Sequence, residues 1–263
     1  MSDERTMRWV RMERDTRGVA TVSMDKPPVN ALGSELVHDL TAAAADLAAD
    51  RNVRAVILRS AGKHFCAGAD LKERNGMTVE QVRDFVPRLA GAVNGFASLP
   101  FPVIAAVRGA AAGGGCELAL GCDLRVLSED ATIGLRETAL AIIPGAGGTQ
   151  RLPRIVGAAT AKRWIFTAGM FTAAEAWADG VADQVVPGDK LDLAADDLAA
   201  AIAANGPVAV RMAKQAIDRG AGVPLDEALK LEWEAYQEVL ITEDRKEALR
   251  AFSEKRPPRF RGC

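Results

Sequence analysis

The 263-residue chain has only two histidines, His38 and His64, and neither has a partner at metal-ligand spacing. No metal site is expected on that ground, and both are read as satisfied or solvated side chains. Cysteine is sparse as well: Cys66, Cys116, Cys122 and Cys263 are scattered and form no C-x-x-C pair. That pattern fits reduced thiols in a cytoplasmic protein. There is no G-x-S-x-G nucleophile motif. No apolar run approaches the roughly 20 residues that span a bilayer. The start, MSDERTMRWVRMERD, is charged throughout and carries no apolar stretch of a secretory signal. An excess of one charge is missing too: 33 Lys and Arg stand against 35 Asp and Glu, a formal net charge of −2. Nothing in that balance draws nucleic acid or an anionic membrane. The expectation is therefore a cytoplasmic protein with no membrane and no nucleic-acid partner.

What is present is an ordinary soluble balance, 49% hydrophobic and 26% charged, in a chain long enough for one large core. Residues 9–14 and 19–24 read as a hairpin turning at Asp15-Thr16-Arg17-Gly18. Ser34 is a candidate N-cap for a helix carrying Leu36, Leu40, Ala44 and Leu47. The runs 55–59 (AVILR) and 102–107 (PVIAAV) read as strands buried in a parallel sheet. Between them Thr78 and Gln81 form a capping box, followed by a helical stripe from Val82 to Phe96. A short helix through Glu117-Leu118-Ala119-Leu120 leads to a strand over 123–127. Alternation at this spacing implies an α/β fold with parallel strands. From about residue 150 the strand signal nearly vanishes. Thr172 with Glu175 is a second capping box, Pro207 follows Gly206 at a helix start, and helices run on to Phe252.

The sharpest local feature is RGAAAGGGCELAL at 108–120, placed after a strand and opening a helix. Successive glycines let backbone N–H groups converge on an oxyanion at the positive end of a helix dipole. Tight packing of helix on sheet would explain the same glycines. A P-loop would need Lys-Ser/Thr where this chain has Cys116-Glu117, and a Rossmann reading of Gly145-Ala146-Gly147 fails because its third glycine falls at Gln150. Glu117 directly follows the glycines, and Glu137 lies in an apolar, glycine-rich stretch, ATIGLRETALAIIPGAGG. Most glutamates are solvated. Two in such surroundings suit a general acid/base pair.

At these residues the chain resembles the crotonase (enoyl-CoA hydratase/isomerase) superfamily. The resemblance rests on DKPPVNAL (25–32), HFCAGADLKE (64–73), PVIAAVRGAAAGGGCELALGCDLRV (102–126), IGLRETALAIIPGAGGTQRLPRIVG (133–157) and AFSEKRPPRF (251–260). These stretches follow the family's order over essentially the whole chain. The resemblance implies a spiral of ββα units over residues 1–200 and a helical trimerisation region over 201–263, with trimers commonly pairing into hexamers. It implies that the backbone N–H groups of Ala69 and Gly114 form an oxyanion hole for a thioester carbonyl. Ala69, Asp70, Leu71 and Lys72 would line the acyl-CoA site, and Asn30 and Ala31 would border the pantetheine and adenine. Phe252 and Lys255 would reach the CoA, from this subunit or a neighbour. Glu117 and Glu137 match both hydratase glutamates, the first assigned to water and the second to the proton at C2. No cofactor is implied, since coenzyme A is part of the substrate.

Δ3,Δ2-enoyl-CoA isomerases look similar but usually keep only the second glutamate, so Glu117 favours hydration. FCAGADLKER, ETALAIIPGAGGTQRLP, GPVAVRMAKQAI and AFSEKRPPRF point towards 3-methylglutaconyl-CoA hydratases of leucine breakdown. One member of that group binds AU-rich RNA through a lysine-rich early helix. The matching segment here, SELVHDLTAAAADLAADRNVR, has no lysine and carries Glu35, Asp39, Asp46 and Asp50, so no RNA binding is expected. The loop DKPPVNAL is one residue shorter than the commonest pattern. A reading from a different class, a non-catalytic acyl-CoA binder that kept only the fold, is weakened by retention of both glutamates and both N–H positions.

Overall fold

A computed structural model describes residues 7–263; the first six residues of the charged start lie outside the described residues. The chain opens with the expected hairpin, β1 (Val10–Arg14) antiparallel to β2 (Val19–Met24). Its turn is held by Asp15, whose carboxylate accepts from the N–H groups of Arg17 and Val19, with Gly18 at φ +84°. Then follow α1 (Ser34–Ala49), β3 (Ala55–Ser60), α2 (Leu71–Asn75), α3 (Val79–Ala97), β4 (Val103–Val107), β5 (Ala110–Ala112) and α4 (Gly114–Leu120). The second half comprises β6 (Leu124–Ser128), β7 (Thr132–Gly134), α5 (Gly148–Thr167), β8 (Phe171–Thr172), α6 (Ala173–Ala178), β9 (Gln184–Val186) and α7 (Leu191–Ala203). The chain closes with α8 (Pro207–Gly220), α9 (Leu225–Leu240) and α10 (Glu243–Ser253).

Six strands form one sheet in the order β1-β2-β3-β4-β6-β9, parallel throughout except for the hairpin. Its central strands are apolar on both faces, as a covered parallel sheet requires. Val56, Leu58, Val103, Ala105 and Val107 join the larger core with α1, α3 and α4. The alternate residues Ala55, Ile57, Ile104 and Ala106 meet Leu191, Ala195 and Ala199 of α7 on the other side. Strands β5, β7 and β8 form a second, smaller sheet, extended by the bridges Cys66–Ala111 and Leu32–Ala69. Each turn of chain thus gives one strand to the long sheet, one short segment to the small sheet, and a helix. This repeat is the ββα spiral, and it stacks the small-sheet segments with their helix starts side by side.

Both capping boxes are present, at Thr78–Gln81 and Thr172–Glu175, and Pro207 sits in the first turn of α8. Three expectations are corrected. Ser34 is not the N-cap of α1: Gly33 holds that position, and the Ser34 N–H and hydroxyl instead bond the Glu73 carboxylate, a cap supplied from α2. Strands continue beyond residue 150 as β8 and β9, which are two and three residues long and too short to show alternation. The boundary at 200/201 falls inside α7, which packs on the long sheet to Ala203. The chain leaves the core only at Ala204–Gly206. Beyond it α8 and α9 pack on each other and leave Ile217, Leu229, Trp233 and Tyr236 exposed.

Candidate active site

The small sheet and the helix starts that follow it wall a cleft of about 970 Å³. One wall begins with segment 65–69, held on both sides by backbone bonds. Cys66 exchanges bonds with Ala110 and Ala112 of β5, while Ala67 N–H donates to Val29 and Leu32 N–H donates to Gly68. The approach is so close that a Cβ on Gly68 would stand 2.5 Å from the Ala112 carbonyl oxygen, and its φ of +87° also favours glycine. The next residue, Ala69, brings its N–H to the cleft. Opposite it, Gly113 at φ +54° turns the chain so that Gly114 opens α4. A Cβ on Gly114 would lie 3.8 Å from the Ala69 nitrogen, so the two backbone groups border one space. Among the described residues neither the Ala69 nor the Gly114 N–H donates to a protein acceptor. Two free donors converging at a helix start can receive one developing oxyanion.

Both glutamates face this cleft. Glu117, 2% exposed, projects from the first turn of α4, where its Oε1 accepts from Ala146 N–H at 2.7 Å and Gly148 N–H at 2.9 Å. Gly148 begins α5, so the Gly145–Gly148 run rejected as a nucleotide loop binds this carboxylate instead. Burial raises the Glu117 pKa; the two backbone bonds and the Arg151 charge oppose it. Glu137, 8% exposed, begins a 3₁₀ turn over Glu137–Leu140. Its Oε2 is buried with no partner among the described residues. Burial first, and the Glu117 charge second, push its pKa to about 7. The environments separate the pair: one carboxylate is supplied with N–H donors, the other is kept as an acid near neutrality.

The raised pKa of Glu137 has a stability consequence. Its unfolded value is near 4.5 and its folded value about 7, so the native state binds the proton more tightly and loses stability as pH rises through that window. Glu137→Gln is therefore expected to be more stable than the wild type at pH 8, with the gain disappearing near pH 4. At 1.36 kcal/mol per unit the ceiling is about 3 kcal/mol, and solvent screening at the cleft brings the expectation to about 1–2 kcal/mol. Thermal unfolding at the two pH values checks this; an equal or lower Tm for the variant at pH 8 would contradict it.

The other expected contacts divide. Ala69 and Leu71 line the cleft, and Leu71 is one of several exposed apolar residues at its mouth, with Leu140, Ile142 and Ile143. Asp70 turns its side chain to cap α2, accepting from Lys72 N–H, and Lys72 is exposed beside it. Asn30 does not point a side chain at the cleft. It is 3% exposed, and its amide donates to Ser60 Oγ and the carbonyls of His64 and Phe65, which shapes the loop carrying Ala69. The carbonyl of the neighbouring Ala31 accepts from Lys26. Phe252, 87% exposed, and Lys255 lie outside the cleft of their own chain. His64 Nδ1 accepts from Ala110 N–H, so that side chain is bonded within its loop. Burial pushes the Cys66 and Cys122 thiols up to about 12, which leaves them unreactive. Sequence reasoning missed Arg74 and Arg136, which line the cleft, and Arg151, whose charge bears on Glu117; no local pattern marks them.

Comparison with known proteins identifies the family. The profile of the family described as enoyl-CoA hydratase/isomerase matches residues 14–263. The human mitochondrial methylglutaconyl-CoA hydratase is 44% identical over 268 residues, covering 100% of this chain and 79% of that protein. Human mitochondrial enoyl-CoA hydratase domain-containing protein 2 is 45% identical over 252 residues, 94% of this chain and 86% of that one. A crystal structure of enoyl-CoA hydratase from Bacillus anthracis superposes with a TM-score of 0.95 at 45% identity, covering 97% of this chain and all of that one. With the ββα spiral and the profile in agreement over nearly its full length, the chain belongs to the enoyl-CoA hydratase/isomerase family of crotonase-fold enzymes.

Proposed function

We propose that the protein is an enoyl-CoA hydratase that adds water across the 2,3 double bond of a 2-enoyl-CoA to give a 3-hydroxyacyl-CoA. The observation that carries this reading is two buried carboxylates of different character in the same cleft as two unpaired N–H donors. The thioester carbonyl binds between Ala69 and Gly114. As water adds to C3, negative charge develops on that oxygen, and the two donors stabilise it without reorganising. Glu117, whose Oε1 is occupied by backbone donors, uses its other oxygen to take a proton from the water. Glu137, kept protonated near neutrality, delivers a proton to C2. An isomerase needs to move only a carbon-bound proton; the elaborate seating of Glu117 favours hydration. A binder without turnover has no use for an acid held at the edge of ionisation.

The reaction needs no cofactor, because coenzyme A travels with the substrate, and no single described helix is long and apolar enough to cross a membrane. The cytoplasm is the compartment that fits this reading. The exposed apolar residues of α8–α10, including Trp233, Tyr236, Leu249 and Phe252, support assembly through residues 204–263 into a trimer or a dimer of trimers. In such an assembly Phe252 and Lys255 would serve a neighbour's cleft.

The test is loss of enone-thioester absorbance when the protein meets crotonyl-CoA. Fast loss is expected, and kcat/KM should fall about tenfold per pH unit above about pH 7 as Glu137 ionises. No turnover with crotonyl-CoA or with longer and branched 2-enoyl-CoA thioesters would overturn the assignment.

A further inference from the structure

A carboxylate that activates water has to be ionised first, and burial works against that at Glu117. The loop behind it is built to oppose burial. Ala146 N–H and Gly148 N–H both reach Glu117 Oε1, and Gly147, at φ +108°, makes the turn that brings them onto one oxygen. The peptide between those two donors gives its carbonyl to Arg151, in the first turn of α5, with Ala146 O accepting from Nη1 at 2.9 Å. A Cβ on Gly147 would collide with that same Nη1, so the guanidinium is seated directly against the turn. Its second nitrogen, Nη2, donates to Asn94 Oδ1 on α3. The planar fork of Arg151 thus spans two acceptors on different elements. Both are neutral, and the side chain is half-buried. Such a guanidinium is costly to desolvate unless an anion lies near. The carboxylate whose charge bears on it is that of Glu117, across one turn of chain. The other charged and titratable groups about Glu117 are Cys116, whose thiol burial keeps neutral, Glu137, and Arg74 and Arg136 in the cleft wall. Arg151 instead borders a separate cavity behind the loop, with Cys122, Arg154 and Lys214.

We propose that Arg151 is a positioning residue for the hydration: it holds the Ala146–Gly148 turn on Glu117 and supplies the positive charge behind that carboxylate, without touching the substrate. This rests on the hydratase reading and adds a residue to it. Removing a positive charge near a carboxylate favours its protonated form. Loss of Arg151 therefore shifts the ionisation of Glu117 to higher pH, and the shortage of active base is greatest in acid.

The test uses Arg151→Met, which removes the charge and both bonds, and Arg151→Lys, which keeps the charge. Asn94→Ala, at an exposed helix position, frees the guanidinium without disturbing the core. Turnover of crotonyl-CoA is measured across the pH range, with equilibrium binding of butyryl-CoA beside it. The titration of Glu117 itself is read in pH-difference infrared spectra of the free protein, its band identified by its absence from Glu117→Gln. Arg151→Met should lower kcat about tenfold, the worth of one hydrogen bond to a charged group, with butyryl-CoA affinity kept within about twofold. The acid limb of kcat/KM and the infrared titration should move to higher pH together, while the alkaline limb, set by Glu137, stays in place. Lysine should restore the acid limb and part of kcat, and Asn94→Ala should lose about threefold. Wild-type kcat in Arg151→Met would overturn the proposal. So would a lower kcat with the acid limb and the infrared titration unmoved. If methionine at 151 prevents folding, the titration is read in Asn94→Ala, where an unmoved band has the same force. Failure of the wild type to hydrate any 2-enoyl-CoA would defeat the hydratase reading alone, because the infrared titration needs no substrate and still reports the hold of Arg151 on Glu117.

Discussion

Glu117→Gln and Glu137→Gln will each lower kcat on a 2-enoyl-CoA by at least about 10²-fold, the scale of a single acid/base term. The two losses arise differently. Glutamine at 117 can still accept from Ala146 and Gly148 through its amide oxygen, but it cannot take a proton from water. Glutamine at 137 removes the proton destined for C2 while leaving volume and polarity nearly unchanged. Since the two carboxylates share one reaction and one field, the double variant should lose far less than the product of the single losses. Steady-state rates of the three variants check this. Near-normal turnover in either single variant would remove the two-carboxylate mechanism.

The second large effect is steric. Gly68→Ala places a methyl 2.5 Å from the Ala112 carbonyl oxygen at a φ that disfavours any side chain. Segment 65–69 must then move off β5, and the Ala69 N–H moves with it. Losing one oxyanion donor costs about 10²–10³-fold in rate, roughly 3–4 kcal/mol of barrier. A fall of that size in kcat is expected, with a lower Tm. Gly91→Ala is the control: its Cβ position in α3 is open, and the exchange should leave the rate unchanged and modestly raise stability. A Gly68→Ala variant with wild-type kcat would show that the Ala69 donor does not stabilise the transition state.

Much of this architecture is legible in the chain because burial on both sheet faces forces continuous apolar runs such as 55–58 and 103–107. The capping boxes at Thr78 and Thr172 are likewise local chemistry, readable without tertiary context. Glu117 and Glu137 stand out for a related reason: a carboxylate flanked by glycines and apolar residues has nowhere to be solvated. What escapes the sequence depends on distant partners. The cap of α1 is Glu73, 39 residues away, so Ser34 looked like a cap when it is the capped residue. The Gly145–Gly148 run looked idle because its partner, the Glu117 carboxylate, comes from another turn of the spiral. The resemblance leads one to expect Asn30 at the border of the CoA, yet its amide is consumed by Ser60, His64 and Phe65. Strands as short as Phe171–Thr172 carry no alternation at all; they form because β7 offers an open edge.

The most direct test of the two-carboxylate hydration is turnover of crotonyl-CoA in water carrying both deuterium and oxygen-18, with product analysed by mass. Hydration predicts one solvent oxygen at C3 and one solvent deuterium at C2 in every product molecule, and Glu137→Gln should form this doubly labelled product at least about 10²-fold more slowly. Solvent deuterium without solvent oxygen, or doubly labelled product at the wild-type rate in the variant, would contradict the account.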